Sequence, residues 1–416
     1  MLDNSFRKVS IIGLGYIGLP TAAMFASRGL SVVGVDVSEH AVNTINSGKI
    51  HIVEPDLDMI VHSAVNLGKL KATTTPEAAD AFLITVPTPL VGDHEPDLSF
   101  IEDAARSIAP VLKRGNLVIL ESTIPVGTTE RLAEWLQEER GDLSFPQTAG
   151  EEADVQIAHC PERVLPGQVM QELVVNDRIV GGMTPHCAQR AESLYQVFVK
   201  GDCHLTDART AELAKLTENS FRDVNIAFAN ELSLICDELD INVWDLIHLS
   251  NKHPRVDILS PGPGVGGHCI AVDPWFIVAS APESAKIIVT ARDINDNKPR
   301  YIVEQIKAAA SQFKEPVIAC MGLAFKADID DLRESPSVDI TLALAEAGVG
   351  RILAVEPNIA ELPEGLQEVK VELVDQEVAM EEANIIVALV DHKSFKKIKK
   401  SRLNEKVLID CRGVWN

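Results

Sequence analysis

The sequence is poor in basic residues, in aromatic residues and in paired cysteines. Its 416 residues include 38 Lys and Arg against 61 Asp and Glu, for a formal net charge of -23 at pH 7, and 5% are aromatic. A strongly acidic chain is repelled by a phosphate backbone, so we expect no nucleic-acid partner. A small anionic ligand is compatible with this charge, because a few arginines and backbone amides can hold it locally.

The seven cysteines are odd in number, scattered and never spaced as CxxC. This pattern argues against a zinc cluster and fits a reducing compartment, so we expect no metal. The sequence also has no apolar run of membrane-spanning length and no basic, apolar leader at its start. We therefore expect a cytoplasmic protein without a membrane partner, large enough for two or three domains.

A glycine-rich turn follows the first apolar strand. Gly13, Gly15 and Gly18 lie between this strand and a helical pattern, and a second strand, residues 30–35, leads into Asp36. In such a unit the first glycine permits the tight turn, the second lets a pyrophosphate approach, and the third lets helix and strand pack closely. An acid after the second strand accepts hydrogen bonds from the adenosine ribose and repels a 2′-phosphate. The pattern predicts an NAD site, with Asp36 favouring NAD over NADP.

Two series of short apolar segments predict two parallel sheets. We place the strands at about residues 9–12, 31–35, 81–86 and 117–120, and then at about 316–322, 351–356, 384–390 and 406–410. Strands that alternate with helical segments are typical of doubly wound sheets. The predicted fold class is α/β, with two doubly wound (Rossmann-like) parallel-sheet domains joined by a long central helix. The predicted domains are 1–205, which binds NAD, 206–300, a central helical dimerisation and active-site region, and 301–416, a Rossmann-like domain without a second complete GxGxxG.

A long helix is predicted for about residues 206–239, where apolar residues recur at helical spacing. Lys215, Asn219 and Arg222 stand at i, i+4 and i+7 and so project from one face. A solvated polar face is the usual explanation of such a triplet, but a helix pinned between two domains has little solvated surface. The apolar stripe of this helix exceeds what one chain can cover, so we expect a homodimer.

The segment from Pro261 to Pro274 places Cys269 on a glycine-rich loop. The loop contains Gly262, Gly264, Gly266 and Gly267. Such a loop adopts backbone angles closed to other residues and lets a substrate approach closely. His268 and the loop amides would favour a thiolate, and Asp273 is a candidate partner for water or a proton. The alternative is a turn that carries an inert buried cysteine.

Several longer strings resemble the UDP-glucose/GDP-mannose dehydrogenase family, and the resemblance covers essentially the whole chain. They are Gly13 to Ala23, His51 to Asp56, Cys160 to Met170, Lys215 to Asn225, Pro261 to Phe276, Gly322 to Lys326, and Leu332 to Pro336. The resemblance implies a nucleotide-sugar 6-dehydrogenase that oxidises a primary alcohol to a carboxylate in two hydride transfers, with two NAD and one cysteine. It also implies that the second Rossmann-like domain binds the UDP-sugar.

The finer similarity of the cysteine loop favours UDP-N-acetyl-D-mannosamine as the substrate. Its uronic acid would feed the synthesis of enterobacterial common antigen or a related surface polysaccharide. UDP-N-acetyl-D-glucosamine or another nucleotide sugar is the alternative, because no residue pattern fixes the epimer.

The resemblance further implies catalytic roles. Cys269 would attack the 6-aldehyde to give a thiohemiacetal, whose oxidation gives a thioester that water cleaves. Lys215 and Asn219 match the polar pair that stabilises developing oxyanions beside the reacting carbon, and Lys215 would also exchange protons in the first oxidation. Asp273 would hold the water and the lysine, and Glu162 would act as general base.

Other residues match the binding positions of the family. On the cofactor side these are Gly13, Gly15, Tyr16, Ile17, Gly18, Asp36, Thr88, Thr123 and Arg333, of which Thr123 is also a catalytic candidate. On the substrate side they are Arg163, Val164, Lys215, Asn219, Arg222, His253, Arg255, Gly266, Phe325 and Lys326. Arg412 is a further candidate, at a position where relatives often have another cation. Arginine suits a diphosphate because its guanidinium donates parallel hydrogen bonds. The alternatives are ordinary surface cations and a core phenylalanine.

Two other classes of protein share parts of this pattern. A two-electron NAD dehydrogenase for a small hydroxy acid would explain the first domain, but it needs neither a cysteine on a glycine loop nor a second nucleotide-type domain. A catalytically inactive binding protein of the same fold would be expected to lose Cys269, Lys215 or Asp273, and all three are present.

Overall fold

The computed structural model describes residues 6–165, 167–267 and 269–415. The chain divides into two compact units, which are Met1–Thr217 with Trp275–Ala281 (unit 1) and Glu218–Pro274 with Pro282–Asn416 (unit 2). His268 lies outside the described residues, so its influence on a thiolate stays a prediction. Among the helices within those ranges, none is both long enough and apolar enough to cross a bilayer.

Unit 1 is built on an eight-stranded sheet. Its elements are β1 (Lys8–Ile12), α1 (Gly18–Ser27), β2 (Ser31–Val35), α2 (Glu39–Asn46), α3 (Leu57–Asn66), β3 (Leu70–Thr73), β4 (Ala81–Ile84), β5 (Leu90–Val91), β6 (Glu95–Pro96), α4 (Ser99–Ile108), β7 (Leu117–Leu120), α5 (Thr128–Glu139), α6 (Pro146–Ala149), β8 (Gln156–His159), α7 (Val169–Val175), β9 (Arg178–Gly182), α8 (Pro185–Tyr195), β10 (Cys203–Asp207) and the first part of α9 (Ala208–Glu238). The strand order is β10-β9-β8-β7-β4-β1-β2-β3, and β5 and β6 form a separate antiparallel hairpin. Neighbouring strands of the large sheet are parallel except β8 and β9, which are antiparallel.

Both faces of this sheet are buried. In β1, Val9 and Ile11 belong to one apolar cluster and Ile12 to a second one. In β4, Leu83 belongs to the first cluster and Phe82 to the second. Because successive side chains of a strand point to opposite faces, this division requires helices on both sides of the sheet.

The structure adds four strands to those predicted for unit 1 and shortens one of the predicted strands. Four strands of the large sheet, β3, β8, β9 and β10, were not predicted, and β10 is mostly exposed, so it lacks the apolar run of a central strand. The strand predicted at 81–86 ends at Ile84. Thr85 directs its hydroxyl to the carbonyl oxygens of Ile12 and Gly13, and Pro87 has no N–H to continue the ladder.

Unit 2 is built on a five-stranded parallel sheet of order β13-β12-β11-β14-β15. Its elements are the rest of α9, α10 (Val243–Ser250), the first two residues of α11 (Asp273–Ser280), α12 (Lys286–Ala310), β11 (Val317–Met321), α13 (Pro336–Glu346), β12 (Arg351–Val355), α14 (Glu364–Glu368), β13 (Glu372–Leu373), α15 (Gln376–Glu382), β14 (Ile385–Ala388) and β15 (Val407–Asp410). The strand predicted at 384–390 ends at Ala388, because the N–H groups of Leu389 and Val390 both donate to the Met321 carbonyl and bend the chain.

The predicted fold class is confirmed: the structure has two doubly wound sheets and a helix of 31 residues, α9, where 206–239 was predicted. The apolar stripe of α9 is only partly buried. Leu216 and Ala227 are buried, whereas Phe221, Phe228 and Ile235, spaced seven residues apart, are 70%, 50% and 43% exposed. The exposed part of the stripe is an apolar surface that its own unit leaves uncovered.

Candidate active site

The first glycine turn joins β1 to α1 in unit 1. Gly13 has φ +92, and a Cβ there would lie 2.9 Å from the Thr85 carbonyl oxygen. A Cβ on Gly18 would lie 1.9 Å from the Gly13 carbonyl oxygen, whereas a Cβ on Gly15 would meet nothing described within 4 Å. Local packing therefore requires Gly13 and Gly18, while Gly15 borders the open space that a diphosphate needs for close approach.

Asp36, directly after β2, holds this turn from the side. Its Oδ2 accepts the Leu14 N–H at 2.9 Å, and its Oδ1 accepts the Ser38 N–H at 2.9 Å. The side chain is half-buried, and each oxygen keeps further acceptor capacity for a ribose hydroxyl. The residues present thus fit the adenosine end of NAD. Asp36 also stabilises the turn itself, a contact that the sequence pattern did not reveal.

The loops after β4 and β7 emerge at the same sheet edge, because both strands run parallel to β1. Thr88 and Thr123 on these loops and Ile17 on the glycine turn are half-buried, and Tyr16 is exposed. The Thr88 hydroxyl is buried and has no hydrogen-bond partner among the described residues. A polar atom of a ligand would satisfy it.

Glu212 on α9 holds the loop that carries Thr123. This buried carboxylate accepts the Gly127 N–H at 2.6 Å and the Thr129 N–H at 2.8 Å, both at the start of α5, and also accepts the Thr129 hydroxyl at 2.6 Å. Burial raises the pKa of Glu212 in spite of these bonds. Its partners are more than 80 residues away in sequence, so no local pattern marks it. Lys215, half-buried, follows three residues later on the same helix.

Glu162, three residues after β8, is held from two sides. Its Oε1 accepts the Arg163 N–H at 2.7 Å, and its Oε2 accepts a hydrogen bond from the Arg178 guanidinium at 3.0 Å. Arg163 in turn donates to the Asp177 carbonyl at 3.3 Å, and Val164 is half-buried against the apolar core. These contacts fix the orientation of the Glu162 carboxylate, and Arg178 is a residue that the sequence pattern does not single out.

In unit 2 the structure brings Asn219, Asp273 and Cys269 together. Asn219 donates its side-chain amide to Asp273 Oδ2 at 2.5 Å. The N–H groups of Val272 and Asp273 donate to the Cys269 carbonyl at 3.1 and 2.8 Å, so the cysteine begins the turn that leads into α11. Asp273 is buried and Cys269 is exposed.

Cys269 differs from other cysteines of the chain in its environment. Burial raises the pKa of Cys160 to about 12, of Cys320 to about 11 and of Cys411 to about 12. A buried thiol of this kind is a poor nucleophile because the thiolate is the reactive form. Cys160 and Cys320 are thus inert, buried thiols, whereas Cys269 is exposed and accessible to a substrate.

The cysteine loop packs against the segments around Phe325 and Pro336. A Cβ on Gly266 would lie 2.3 Å from the Glu334 carbonyl oxygen, and a Cβ on Gly267, where φ is +85, would lie 3.0 Å from the Phe325 ring. At the start of the loop the Gly262 N–H donates to the buried Asn230 side chain at 2.8 Å. Close contact thus requires glycine at position 266, and both contact and backbone angle favour glycine at position 267.

The other predicted binding residues of unit 2 fall into two groups. Arg412 borders the cysteine loop, since a Cβ on Gly262 would lie 2.6 Å from its Nη1, and it pairs with Asp391 at 3.1 Å. Arg333 pairs with Asp331 through two hydrogen bonds, at 2.6 and 2.8 Å. Exposed side chains make up the second group, and these are Lys326, Arg222, His253 and Arg255.

Three models of one family match successive parts of the chain. The NAD binding domain of the UDP-glucose/GDP-mannose dehydrogenase family matches residues 7–199, its central domain matches residues 209–297, and its UDP binding domain matches residues 319–416.

Individual relatives match over the full length. The chain is 63% identical over 415 residues to an NDP-N-acetyl-D-galactosaminuronic acid dehydrogenase of Ralstonia nicotianae, covering 100% of this chain and 98% of the relative. It is 62% identical over 419 residues to a UDP-N-acetyl-D-mannosamine dehydrogenase of Yersinia pestis, covering 99% and 100%. Among solved structures, the UDP-N-acetyl-mannosamine dehydrogenase of Staphylococcus aureus has a TM-score of 0.86 and 43% identity, covering 98% of this chain and 95% of that one.

Proposed function

Since this chain belongs to the UDP-glucose/GDP-mannose dehydrogenase family, we propose that it oxidises the 6-hydroxyl group of UDP-N-acetyl-D-mannosamine to a carboxylate with two NAD. The relative of Yersinia pestis that is named UDP-N-acetyl-D-mannosamine dehydrogenase is 62% identical over nearly the whole chain. The observation that carries the mechanism is the contact of Asn219 with the buried Asp273, whose N–H closes the turn begun by the exposed Cys269.

The first oxidation converts the primary alcohol to the 6-aldehyde. When bound, NAD supplies the hydride acceptor for each oxidation. Lys215 takes up the hydroxyl proton, and Asn219 stabilises the developing alkoxide with the amide N–H that it does not donate to Asp273. Thr123, on the loop after β7, completes this set of proposed catalytic residues.

The second oxidation runs through Cys269. Its thiolate attacks the aldehyde carbon to form a thiohemiacetal, which loses a hydride and becomes a thioester. Water then adds to the thioester carbon, Glu162 accepts a proton from that water, and the carbon–sulfur bond breaks to release the uronate. Asp273 holds the attacking water, a role for which its fixed, buried carboxylate is suited.

Binding roles follow the positions matched in the family. We assign the sugar nucleotide to Arg163, Val164, Arg222, His253, Arg255, Gly266, Phe325, Lys326 and Arg412, and NAD to the glycine turn, Tyr16, Ile17, Asp36, Thr88, Thr123 and Arg333. The packing of the cysteine loop against Phe325 supports a substrate role for that segment, because Gly266 and Gly267, which contact it, precede Cys269 by only three and two residues. We retain 1–205, 206–300 and 301–416 as the proposed domains.

We also propose a cytoplasmic homodimer whose uronate product feeds a surface polysaccharide such as enterobacterial common antigen. The exposed Phe221, Phe228 and Ile235 support the dimer, since a second copy would cover this stripe of α9. Buried thiols such as Cys160 and Cys320 fit the reducing conditions of the cytoplasm.

A galacto-configured substrate is the second candidate. It is favoured by the relative of Ralstonia nicotianae, which is named for an N-acetyl-D-galactosaminuronic acid and is 63% identical to this chain. The identities of the two relatives to this chain differ by one percentage point, so overall identity does not select the sugar.

Two measurements test the proposal. The number of NADH formed per sugar nucleotide should be two; one would indicate a simple alcohol dehydrogenase, and none a binding protein. A panel of the UDP-linked N-acetyl derivatives of mannosamine, galactosamine and glucosamine, with UDP-glucose and GDP-mannose, should give the highest kcat/KM for the manno sugar. A higher value for the galacto sugar would replace the substrate and leave the mechanism in place.

A further inference from the structure

A buried group of side chains lies behind Glu162 in unit 1, and it has no role in the mechanism above. Glu121, directly after β7, has a fully buried side chain, and the side chain of Arg178, at the start of β9, is 5% exposed. Tyr195, at the end of α8, is also buried. Three strands and a helix thus bring their polar groups to one place inside the unit.

Arg178 faces two carboxylates at once. Its Nη2 donates to Glu162 Oε2 at 3.0 Å, and its Nη1 lies 3.8 Å from Glu121 Oε1. Tyr195 donates its hydroxyl to Glu121 Oε1 at 2.5 Å, and the guanidinium carbon lies 4.6 Å from the centre of its ring. A single buried cation cannot fully compensate two buried anions, so the charge of one acid affects the other.

Glu121 changes its charge near neutral pH. Burial raises the pKa of this carboxyl to about 7, although Arg178 opposes the shift. Its Oε2 is buried and accepts no hydrogen bond from any described residue, which suits an oxygen that carries a proton over part of the pH range. The titratable groups that face it from neighbouring elements are Arg178, Glu162, Tyr195 and Cys160. Burial raises the pKa of Cys160 to about 12 and that of Tyr195 well above its usual value, so both stay neutral here.

We propose that Glu121 is a positioning residue that competes with Glu162 for the Arg178 guanidinium and thereby sets the basicity of the carboxylate that activates water. The proposal rests on the role of Glu162 in thioester hydrolysis. In that step Glu162 takes a proton from water, the water oxygen bonds to the thioester carbon, and sulfur leaves as the Cys269 thiolate. Neither an oxidant nor a reductant is required.

The competition predicts how the rate of thioester hydrolysis changes with pH. While Glu121 is neutral, the guanidinium is committed to Glu162, and an opposite charge makes a carboxylate a weaker base. Once Glu121 is ionised it attracts the same guanidinium, and Glu162 becomes more basic. Hydrolysis of the thioester should therefore accelerate as the pH rises through about 7.

The test uses Glu121→Gln in the full-length enzyme, because glutamine keeps the shape and the Tyr195 hydrogen bond but cannot ionise. The measurements are kcat and the fraction of enzyme that carries an acyl adduct on Cys269, determined by acid quench and intact mass from about pH 6 to about pH 9. In the wild type the adduct should decline and kcat should rise with pH. In the variant the adduct should persist, with kcat at high pH about three- to tenfold lower and both KM values within about twofold.

Tyr195→Phe provides the second variant. The Tyr195 hydrogen bond lowers the pKa of Glu121, so its removal should move the rise in kcat to higher pH without abolishing it. A purely structural role would lower Tm in both variants and leave the shape of the pH profile unchanged.

The outcomes separate this proposal from the function on which it rests. A wild-type pH profile in Glu121→Gln, with two NADH per sugar, would overturn the competition and leave the covalent mechanism intact. If that variant does not fold, an unshifted profile in Tyr195→Phe overturns the proposal instead. One NADH per sugar in the wild type would overturn the mechanism, and the role of Glu121 with it.

Discussion

The glycine turn after β1 in unit 1 has a counterpart after β11 in unit 2. Gly13 has φ +92 and donates its N–H to the Val35 carbonyl at 2.8 Å, and Gly322 has φ +95 and donates to the Val355 carbonyl at 2.8 Å. The strand order β13-β12-β11-β14-β15 repeats the order β3-β2-β1-β4-β7. In both units an acid directly after the second strand accepts a backbone N–H from the turn, Asp36 from Leu14 and Glu356 from Leu323.

The two acids differ in what else they bind. Asp36 is half-buried, with acceptor capacity open to a ligand. Glu356 is buried, accepts a second N–H from Ala324 at 3.0 Å, and lies 3.0 Å from Nε2 of the fully buried His392. The other nitrogen of that ring accepts the Asp328 N–H at 2.9 Å. In unit 2 the acid that corresponds to Asp36 is therefore occupied by hydrogen bonds from the protein itself.

This difference explains why one turn suits a dinucleotide and the other does not. The Gly13 turn runs directly into α1 at Gly18, and the amino end of a helix is suited to bind a diphosphate. The Gly322 turn runs instead into a loop that contains Phe325 and is fixed by Glu356 and His392 from both sides. The same backbone arrangement thus leads into a helix start that suits an anion in unit 1, and into a loop held by Glu356 and His392 in unit 2.

The largest expected effect concerns the proposed covalent step, whose nucleophile, Cys269, lies in unit 2. Cys269→Ser keeps the size but replaces the thiolate with a poor nucleophile and leaving group, so uronate formation should fall by roughly 10³-fold or more. NAD affinity should be unchanged in titration calorimetry, because Cys269 is not among the residues that we assign to NAD. Cys203→Ser, at a half-buried cysteine of β10, is the matched control and should behave as wild type. Near-normal uronate production by Cys269→Ser would refute the covalent mechanism.

The second effect concerns the Gly322 turn of unit 2, which is held by hydrogen bonds to Glu356. Glu356→Gln places an amide NH2 group among the Leu323, Ala324 and His392 donors, and it should lower the free energy of unfolding at neutral pH by about 2 to 3 kcal/mol. Glu364→Gln, on the exposed surface of α14, is the control and should change it little. NAD affinity should be retained, and its loss would show that the two turns do not divide their roles.

The stability lost in Glu356→Gln should depend on pH in a defined direction. Burial acts to raise the pKa of Glu356, but the His392 bond and the two backbone donors outweigh it, so the pKa is lowered. The stability that Glu356 contributes is therefore present above the unfolded value of about 4.5 and is lost as the pH falls through the folded value. The Tm values of wild type and variant should therefore converge once the pH falls below the lowered pKa that Glu356 has in the folded state. A gap that widens on acidification would contradict the assignment.

The sequence predicts the parts of the site that depend on local pattern. The Gly13 turn, α9 and the Cys269 loop follow from residue spacing, and the fold class follows from alternating apolar strands. The groups that hold these parts in place do not follow. His392 and Glu356 are 36 residues apart, and Tyr195 and Glu121 are 74 apart. Each pair is assembled by sheet topology, so a single sequence without its fold contains no spacing that would reveal it.

The third effect concerns Asp36, the half-buried acid of unit 1. Asp36→Asn leaves one carbonyl oxygen where two carboxylate oxygens now accept the Leu14 and Ser38 N–H groups. NAD binding should weaken by about 1 to 2 kcal/mol, and the preference over NADP should decrease, because the charge that repels a 2′-phosphate is gone. Tm should change less than in Glu356→Gln, since Asp36 is half-buried. Unchanged selectivity between NAD and NADP would remove Asp36 from the ribose site.

The smallest effect concerns the residue that backs each turn from the neighbouring strand. In unit 1 the Thr85 hydroxyl lies 2.7 Å from the Gly13 carbonyl oxygen and 3.0 Å from that of Ile12. In unit 2 the equivalent residue is Leu389, whose N–H donates to the Met321 carbonyl as the Thr85 N–H donates to the Ile12 carbonyl, and whose side chain is apolar. Thr85→Val makes the first turn resemble the second and leaves the Gly13 carbonyl without this donor. Tm and NAD affinity should each show a loss of about 1 kcal/mol.

Thr85→Ser separates the hydroxyl from the methyl group. Serine keeps the donor and loses only apolar contact, so a polar role for Thr85 predicts that the serine variant binds NAD as wild type does while the valine variant does not. If Thr85→Val is instead as stable as wild type and Thr85→Ser is the weaker of the two, packing alone supports the turn. The two turns would then be held by the same apolar contact, and the difference in ligand would depend on the acids Asp36 and Glu356 alone.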